Sequence, residues 1–356
     1  MKKRILHIIS SVNWRGGEQQ VDALFNYSHA DFDYYIFCPE NAELQKRNEV
    51  KKNKIFTYKK RFGVDILAAF KLKKVCAGNQ IDLIHLHDSH AINTYYIACL
   101  FGLKIPSVIH RHVNFPVTKK WKYNAEKIKK IICVSETVKA GFQSFITEEK
   151  LVVIQPGIHI SQWTENNNSH KIKNELNLSN ERKIVGMVAA LEKEKNIDAF
   201  LEIAKKVIEQ NNNIHFVLIG DGTLMHTYTQ STNQQKMNIH FLGFRDDVKE
   251  LISGFDVFLF TSNNEGFPLV LLEAMAAKIP ILSNNFPSVN ELLQYQQNGL
   301  LYKNMEDAVY KLQLLNSETT QRNQLVENAF QFVQQFDITL MNQRIVDVYK
   351  SIFTHA

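Results

Sequence analysis

Short runs of β-branched and other apolar residues alternate with segments of helical spacing from one end of the chain to the other. In the first half this pattern predicts strands at 5–10, 34–38, 54–58, 83–86, 107–110, 130–134 and 151–154. Their nearly continuous hydrophobicity suits parallel strands buried on both faces. Helical spacing falls between them at 18–27, 64–77 and 91–101. After a polar stretch containing Asn166, Asn167 and Asn168 the alternation restarts. Strands are expected at 183–188, 215–219, 239–242, 257–260 and 279–283, with helices at 197–210, 246–254, 268–277 and 289–293. A βαβα rhythm interrupted once predicts an α/β chain of two Rossmann-like, doubly wound domains facing across a cleft. The boundary falls near Gly157–Asn168, giving domains at 1–160 and 161–336. The tail, 337–356, spaces Leu340, Ile345, Val348, Tyr349 and Ile352 as a last helix that crosses back to the first domain.

Composition supports this division. A chain of 356 residues is longer than one core usually organises, and 45% apolar with 22% charged residues argues against disorder. The net charge of +6 hides an asymmetry. Residues 1–160 hold 25 of the 42 basic side chains but 14 of the 36 acidic ones, a net of +11, which leaves −5 for the remainder. A basic half points to an anionic partner, with nucleic acid and membrane surface as candidates. Cys38, Cys76, Cys99 and Cys133 have neither disulfide-scaffold nor zinc-site spacing and read as small hydrophobes in a reducing compartment. Met1–Arg4 followed by Ile5–Ile9 imitates a signal peptide, but His7 interrupts the apolar run and no small-residue cleavage site follows. With no apolar run of membrane-spanning length, a cytoplasmic protein is expected, placed peripherally on the inner face of the membrane if a surface patch described below is used.

In open parallel sheets ligands bind beyond the carboxyl ends of strands, so the loops there carry the candidate chemistry. Gly16 and Gly17 follow the first strand and precede a helix, an arrangement that lets backbone amides approach an oxyanion or simply makes a tight turn. His85, His87, His90, His110 and His112 gather after two strands. With no carboxylate beyond Asp88, neutral hydrogen-bonding imidazoles are favoured over a metal site. The densest signal runs from Thr261 to Glu291, where a strand enters a Gly-containing loop and a helix opens with Pro268 in its first turn. Glu265 in the loop and Glu273 in the helix can accept paired hydrogen bonds from vicinal diols, and the helix start suits a diphosphate. A glycosidase pair is the competing reading, but the helix dipole and a neighbouring lysine are expected to keep both carboxylates ionised, which is wrong for a general acid.

The string from Glu265 to Ala276, Glu-Gly-Phe-Pro-Leu-Val-Leu-Leu-Glu-Ala-Met-Ala, resembles the E-x7-E signature of retaining GT-B glycosyltransferases of family 4, the group 1 type. The resemblance spans the chain. Gly16-Gly17 sits where that family keeps its N-terminal glycine loop, and Ile105–His112 resembles the strand that ends in its active-site histidine. Lys195 falls on the lysine that contacts the donor diphosphate, Gly220-Asp221-Gly222 on a donor-domain loop, and Phe244-Arg245 on the segment that brackets the nucleobase. The resemblance implies catalytic roles for His112, Lys195 and Glu265. It implies donor contacts from Gly16, Gly17, Gly220, Gly222, Phe244, Arg245, Gly266, Phe267, Leu269 and Glu273, with Glu265 on the transferred sugar and Glu273 on the ribose. It further implies a nucleotide sugar as co-substrate, a UDP-sugar ahead of GDP-mannose, and no metal. Two positions depart from the pattern. Ala190 stands where the family has an arginine on the phosphates, so either Arg245, Lys193 or Arg15 substitutes or leaving-group stabilisation is weaker, and Pro156-Gly157-Ile158-His159 replaces Asn-Gly-Val-Asp at the hinge.

One more stretch bears on partners. Residues 118–132 place six lysines (119, 120, 122, 127, 129, 130) beside Trp121, Ile128 and Ile131, and Lys119, Lys120, Trp121 and Lys122 form a patch suited to anionic lipid. A lipid-linked saccharide acceptor in cell-envelope, capsule or lipopolysaccharide assembly fits such a surface. The alternatives are a nucleotide-sugar epimerase of the same fold and a non-catalytic sugar-nucleotide-binding subunit. Nucleic acid is not expected, because the interleaving of aromatic and basic residues is confined to this one stretch.

Overall fold

The computed structural model describes residues 2–61, 65–164, 169–234, 237–317 and 319–354. The polar stretch 166–168 and the predicted helix start at 64 lie outside them. The chain forms two compact units, 1–157 with 338–356, and 158–337.

In the first unit seven strands form one parallel sheet: β1 (Lys3–Ile8), β2 (Phe32–Pro39), β3 (Ile55–Tyr58), β4 (Leu83–Leu86), β5 (Ser107–Arg111), β6 (Ile128–Cys133) and β7 (Leu151–Val153). Their order is β3-β2-β1-β4-β5-β6-β7. Ile5, Leu6, Ile8, Leu83, Ile84, Leu86, Ile131 and Ile132 are all fully buried, because helices cover both faces and leave no solvent side for alternation to mark. The chain direction across the sheet reverses between β1 and β4, so the loops after these neighbours open a crevice at the switch point. The C-terminal helix Ile338–Thr354 belongs to this unit and buries Met341, Ile345, Val346, Tyr349 and Ile352 against Ile5, Val21 and Leu24. Leu340, expected on that face, is exposed, since five residues at 100° each carry it well away from Ile345.

The second unit has six parallel strands: β8 (Lys183–Val188), β9 (Ile214–Ile219), β10 (Ile239–Phe241), β11 (Val257–Phe260), β12 (Ile281–Asn284) and β13 (Leu300–Tyr302), in the order β10-β9-β8-β11-β12-β13. Sequence pattern missed β13, a three-residue strand. It also missed the helices Met225–Gln234, Met305–Asn316 and Thr320–Val333. The last two are rich in Gln, Asn and Glu and bury only three or four side chains each, so their apolar stripe is narrow.

The lysine-rich stretch needs one correction. Ile128 and Ile131 lie within β6 and are fully buried, so they present nothing to a membrane. Among the described residues no helix is long and apolar enough to cross a bilayer.

Candidate functional site

Two clusters form at the carboxyl ends of the sheets, one in each unit. In the first unit, strand register builds a stack of histidines. His7 on β1 pairs with His85 on β4, and period-two alternation puts His87 and then His110 and His112, at the end of β5, on the same face. His7 Nδ1 lies 3.0 Å from His87 Nε2, His87 Nδ1 lies 3.3 Å from His112 Nε2, and the His110 and His112 rings stack at 4.1 Å. From the C-terminal helix, the Tyr349 hydroxyl meets His85 Nδ1 at 2.6 Å. Burial lowers the pKa of every member. His7 falls to about 3 and His112 to about 4, while His85, His87 and His110 lie well below the usual value, with neighbouring imidazoles adding to the effect. The stack is therefore neutral at physiological pH.

Two triads, His7–His85–His87 and His87–His110–His112, have ligand atoms close enough to share a metal ion. The carboxylate of Asp88 is directed elsewhere. It caps the helix Ser89–Leu100 through the amides of His90 and Ala91, and it accepts from the amide and hydroxyl of Ser10 at 2.6 Å each. Gly17, in the first turn of the helix Gly16–Asn26, lies opposite His112, where an added Cβ would meet the ring at 3.9 Å. The structure thus brings together three segments, 16–17, 85–87 and 110–112, that are far apart in sequence.

In the second unit Lys195 sits in a 3-10 turn after β8, and Glu265 in the loop after β11. β8 and β11 are neighbours in the sheet, so residues 70 positions apart form a half-buried ion pair. The two loops are tied together further: Thr261 Oγ1 donates to the Lys195 carbonyl at 3.1 Å, and the Asn263 amide donates to the Glu194 carbonyl at 2.9 Å. The helix Leu269–Ala276 starts beside Glu265 with Pro268 at its N-cap and no side chain capping its first turn; the amides of Leu269 and Leu271 donate to the carbonyls of Phe267 and Pro268 at 3.0 Å each. The sequence placed Pro268 inside the helix; the structure places it one residue outside.

Glu273, in the second turn, departs from the expectation that both carboxylates stay ionised. Burial raises its pKa to about 7, opposed only by Lys249, so near neutrality it is about half protonated. Lys249 Nζ lies over the Trp163 ring at 5.9 Å and donates to Gln162 Oε1. Neither Lys249 nor Trp163 was singled out from sequence, because a lone lysine on a short helix carries no pattern.

The Gly220-Asp221-Gly222 loop interlocks with the loop after β8. Gly220 has φ +139°, and a Cβ there would lie 1.9 Å from the Ala189 carbonyl oxygen; one at Gly222 would lie 2.6 Å from that of Leu191. Both glycines are required by backbone approach, whatever they do for a ligand. Phe244 is exposed. Arg245 is held by Asp247, at 2.8 and 2.7 Å, and by Glu175. As a replacement for the arginine missing at Ala190 it is therefore already neutralised by two carboxylates. At the hinge, Gln20 bonds reciprocally with the backbone of Gly157, donating at 3.0 Å and accepting at 3.1 Å, a contact that sequence reading missed.

Residues 14–162 match the family described as Glycosyltransferase Family 4, and residues 168–332 match Glycosyl transferases group 1. The chain belongs to the group 1, family 4 glycosyltransferases. It is 26% identical to the UDP-Gal:alpha-D-GlcNAc-diphosphoundecaprenol alpha-1,3-galactosyltransferase of Escherichia coli over 76% of each chain. It is 24% identical to the N,N'-diacetylbacillosaminyl-diphospho-undecaprenol alpha-1,3-N-acetylgalactosaminyltransferase of Campylobacter jejuni over 91% of this chain and 92% of that one. The fold is shared with Anabaena HepE, crystallised with UDP-glucose, at a TM-score of 0.84 and 19% identity over 98% of this chain and 99% of that one. As in the wider GT-B glycosyltransferases, both Rossmann-like units carry parallel sheets, and in this glycosyltransferase each presents its polar cluster where strands end.

Proposed function

We propose that this chain is a retaining, metal-independent glycosyltransferase that moves a hexose from a UDP-sugar to a lipid-linked saccharide during assembly of a cell-envelope polysaccharide. The observation that carries the reading is the Lys195–Glu265 pair beside an uncapped helix start. A donor diphosphate would draw Lys195 and the first-turn amides of the helix Leu269–Ala276, while hydroxyls of the sugar would replace Lys195 on Glu265. Each partner of the ligand-free ion pair thereby exchanges one polar contact for another, which limits the desolvation cost of binding. In the reaction the bond from the anomeric carbon to the phosphate oxygen breaks and a bond to the acceptor oxygen forms on the same face. The acceptor proton passes to the departing phosphate. Negative charge growing on the diphosphate is met by Lys195 and helix amides, the task a divalent cation performs in other enzymes. Amides of Gly266, Phe267 and Leu269 are assigned to the sugar and phosphate, the last of them giving up its bond to the Phe267 carbonyl; Glu273 is assigned to the ribose diol and Phe244 to the base. In the first unit the neutral His112, beside Gly17, is suited to hold a sugar hydroxyl.

The relatives support the donor and acceptor classes: the E. coli enzyme is named for a UDP-sugar and a diphosphoundecaprenol acceptor, and the C. jejuni enzyme for a diphospho-undecaprenol acceptor. The test is a thermal-shift panel of UDP- and GDP-sugars, followed by transfer from the best binder to a polyprenyl-diphosphate-linked sugar, with the product anomer read by NMR. Stabilisation by a UDP-sugar and an axial product linkage from an axial donor are expected. Inversion, or conversion of the donor with no acceptor present, would overturn the reading.

A further inference from the structure

The two histidine triads of the first unit differ in access. His7, His85 and His87 are all buried. In the outer triad His87 and His110 are also buried, at 8% and 4% exposed, but His112 is only partly so, at the end of β5 opposite Gly17. His87, His110 and His112 therefore include one member that a solute can reach. Their three ligand nitrogens lie within 4.8 Å of one another, and His87 Nδ1 stands 3.3 Å from His112 Nε2. Two nitrogens held by one tetrahedral zinc at about 2.05 Å are themselves about 3.3 Å apart, so this edge already has the length a metal site needs.

Two further features point to a ligand. His110 Nε2 is buried and has no hydrogen-bond partner among the described residues, which is costly for a polar nitrogen unless something else meets it. His87 Nε2 lies 3.0 Å from His7 Nδ1. With its proton on Nε2, His87 donates to His7 and turns the lone pair of Nδ1 toward His112. Metal-bound histidines are oriented by such a contact at the other ring nitrogen. Burial keeps all three rings neutral, the form that ligates. The donor set is all nitrogen, because Asp88 is committed to its helix cap and to Ser10. Imidazoles suit zinc and its transition-metal neighbours, whereas magnesium and calcium prefer oxygen.

We propose that His87, His110 and His112 form an inhibitory site for zinc or a similar divalent transition metal. Three imidazoles hold the ion and leave its fourth position open. The ion engages the His112 ring and sets a double positive charge beside it, so metal and sugar hydroxyl exclude each other. It has no part in transfer, where Lys195 and helix amides meet the charge. The inhibition rests on the role proposed for His112; the metal site itself does not.

The experiment titrates the untagged full chain with cobalt(II), whose visible absorption reports tetrahedral nitrogen ligation, and with zinc as competitor, for the wild type, H110F, H112Q and H215F. Phe at 110 keeps a ring in the stack, and unfolding temperatures check that each variant folds. H215F breaks the His215–His240 pair, 3.0 Å apart in the second unit, which is the competing two-histidine site. Wild type and H215F should bind one ion, and H110F and H112Q should bind at least about 100-fold more weakly. Magnesium should not displace the cobalt. Saturating zinc should lower sugar transfer by wild type and H215F at least about tenfold, with full recovery in EDTA. H110F should keep its activity in zinc, which separates the site from sequestration of the donor by the metal. Equal affinity of wild type and H110F would overturn the site. Tight binding without inhibition would overturn the inhibitory role and take His112 off the sugar, with the metal site still standing. Transfer lost on chelation and recovered with zinc would also overturn that role, because the ion would then serve catalysis.

Discussion

The two strand-end clusters solve the same problem in opposite ways. Each places polar side chains where a sheet ends and solvent is partly excluded. In the first unit they are imidazoles, which shed their protons and bond to one another; in the second they are a lysine and a glutamate, which keep opposite charges in contact. The difference follows from the reference pKa of each group. Histidine reaches neutrality at a small cost, so burial discharges it, whereas a lysine and a carboxylate hold their charges most readily as a pair. The first arrangement suits holding neutral hydroxyls and the second suits meeting a diphosphate. On the proposed reading, an acidic half would bind an anion through one local cation and a helix start acting at short range, whatever the bulk charge.

The comparison is tested most severely by removing the ion pair. Lys195→Ala and Glu265→Ala should each lower sugar transfer about 10²–10³-fold, in line with loss of a transition-state contact, while the half-buried pair itself contributes only ~1 kcal/mol to stability. Full activity in either purified variant would remove these residues from the site.

Acid should separate the units next. The stacked histidines are neutral when folded and titrate near 6.5 when unfolded, so the unfolded chain binds more protons below that value. Stability of the first unit is therefore full above about pH 6.5 and is lost as pH falls toward 4. Amide hydrogen exchange should show β1, β4 and β5 losing protection about one pH unit before β8 and β11. Simultaneous loss would break the contrast.

Glu273 runs the other way. Its folded pKa of about 7 lies above the unfolded value, so its contribution to stability is present below 4.5 and fades as pH rises through 7. If its carboxylate holds the ribose diol, UDP affinity should rise about tenfold between pH 6 and 8, and Glu273→Gln should flatten that profile. A wild-type profile as flat as the variant's would take Glu273 out of the donor site. The smallest expected effect is from chelation: EDTA should leave turnover unchanged. Loss of activity with recovery on adding zinc would instead make one of the histidine triads a metal centre.

Much of this was legible along the chain. Twelve of the strands were foreseen because β-branched runs between helical segments survive local reading, and Glu265-to-Ala276 stood out because its residues are consecutive. What was missed depends on contacts between distant segments. His7 looked like an interruption in an apolar strand; only the pairing of β1 with β4 makes it part of the stack. Tyr349 looked like one position of a helix face, and its hydroxyl acquires a partner only when the last helix packs on the first sheet. Arg245 looked like a free cation, and Glu175, 70 positions earlier, neutralises it.

By itself the sequence determined the alternation of elements, the basic and acidic halves, and the family signature, because periodicity, charge count and contiguous motifs are local properties. Tertiary structure decided which charges are available. It buried five histidines into neutrality, joined Lys195 to Glu265 and raised the pKa of Glu273. Burial and neighbours set a side chain's charge, and both are fixed only when segments separated in sequence lie next to each other.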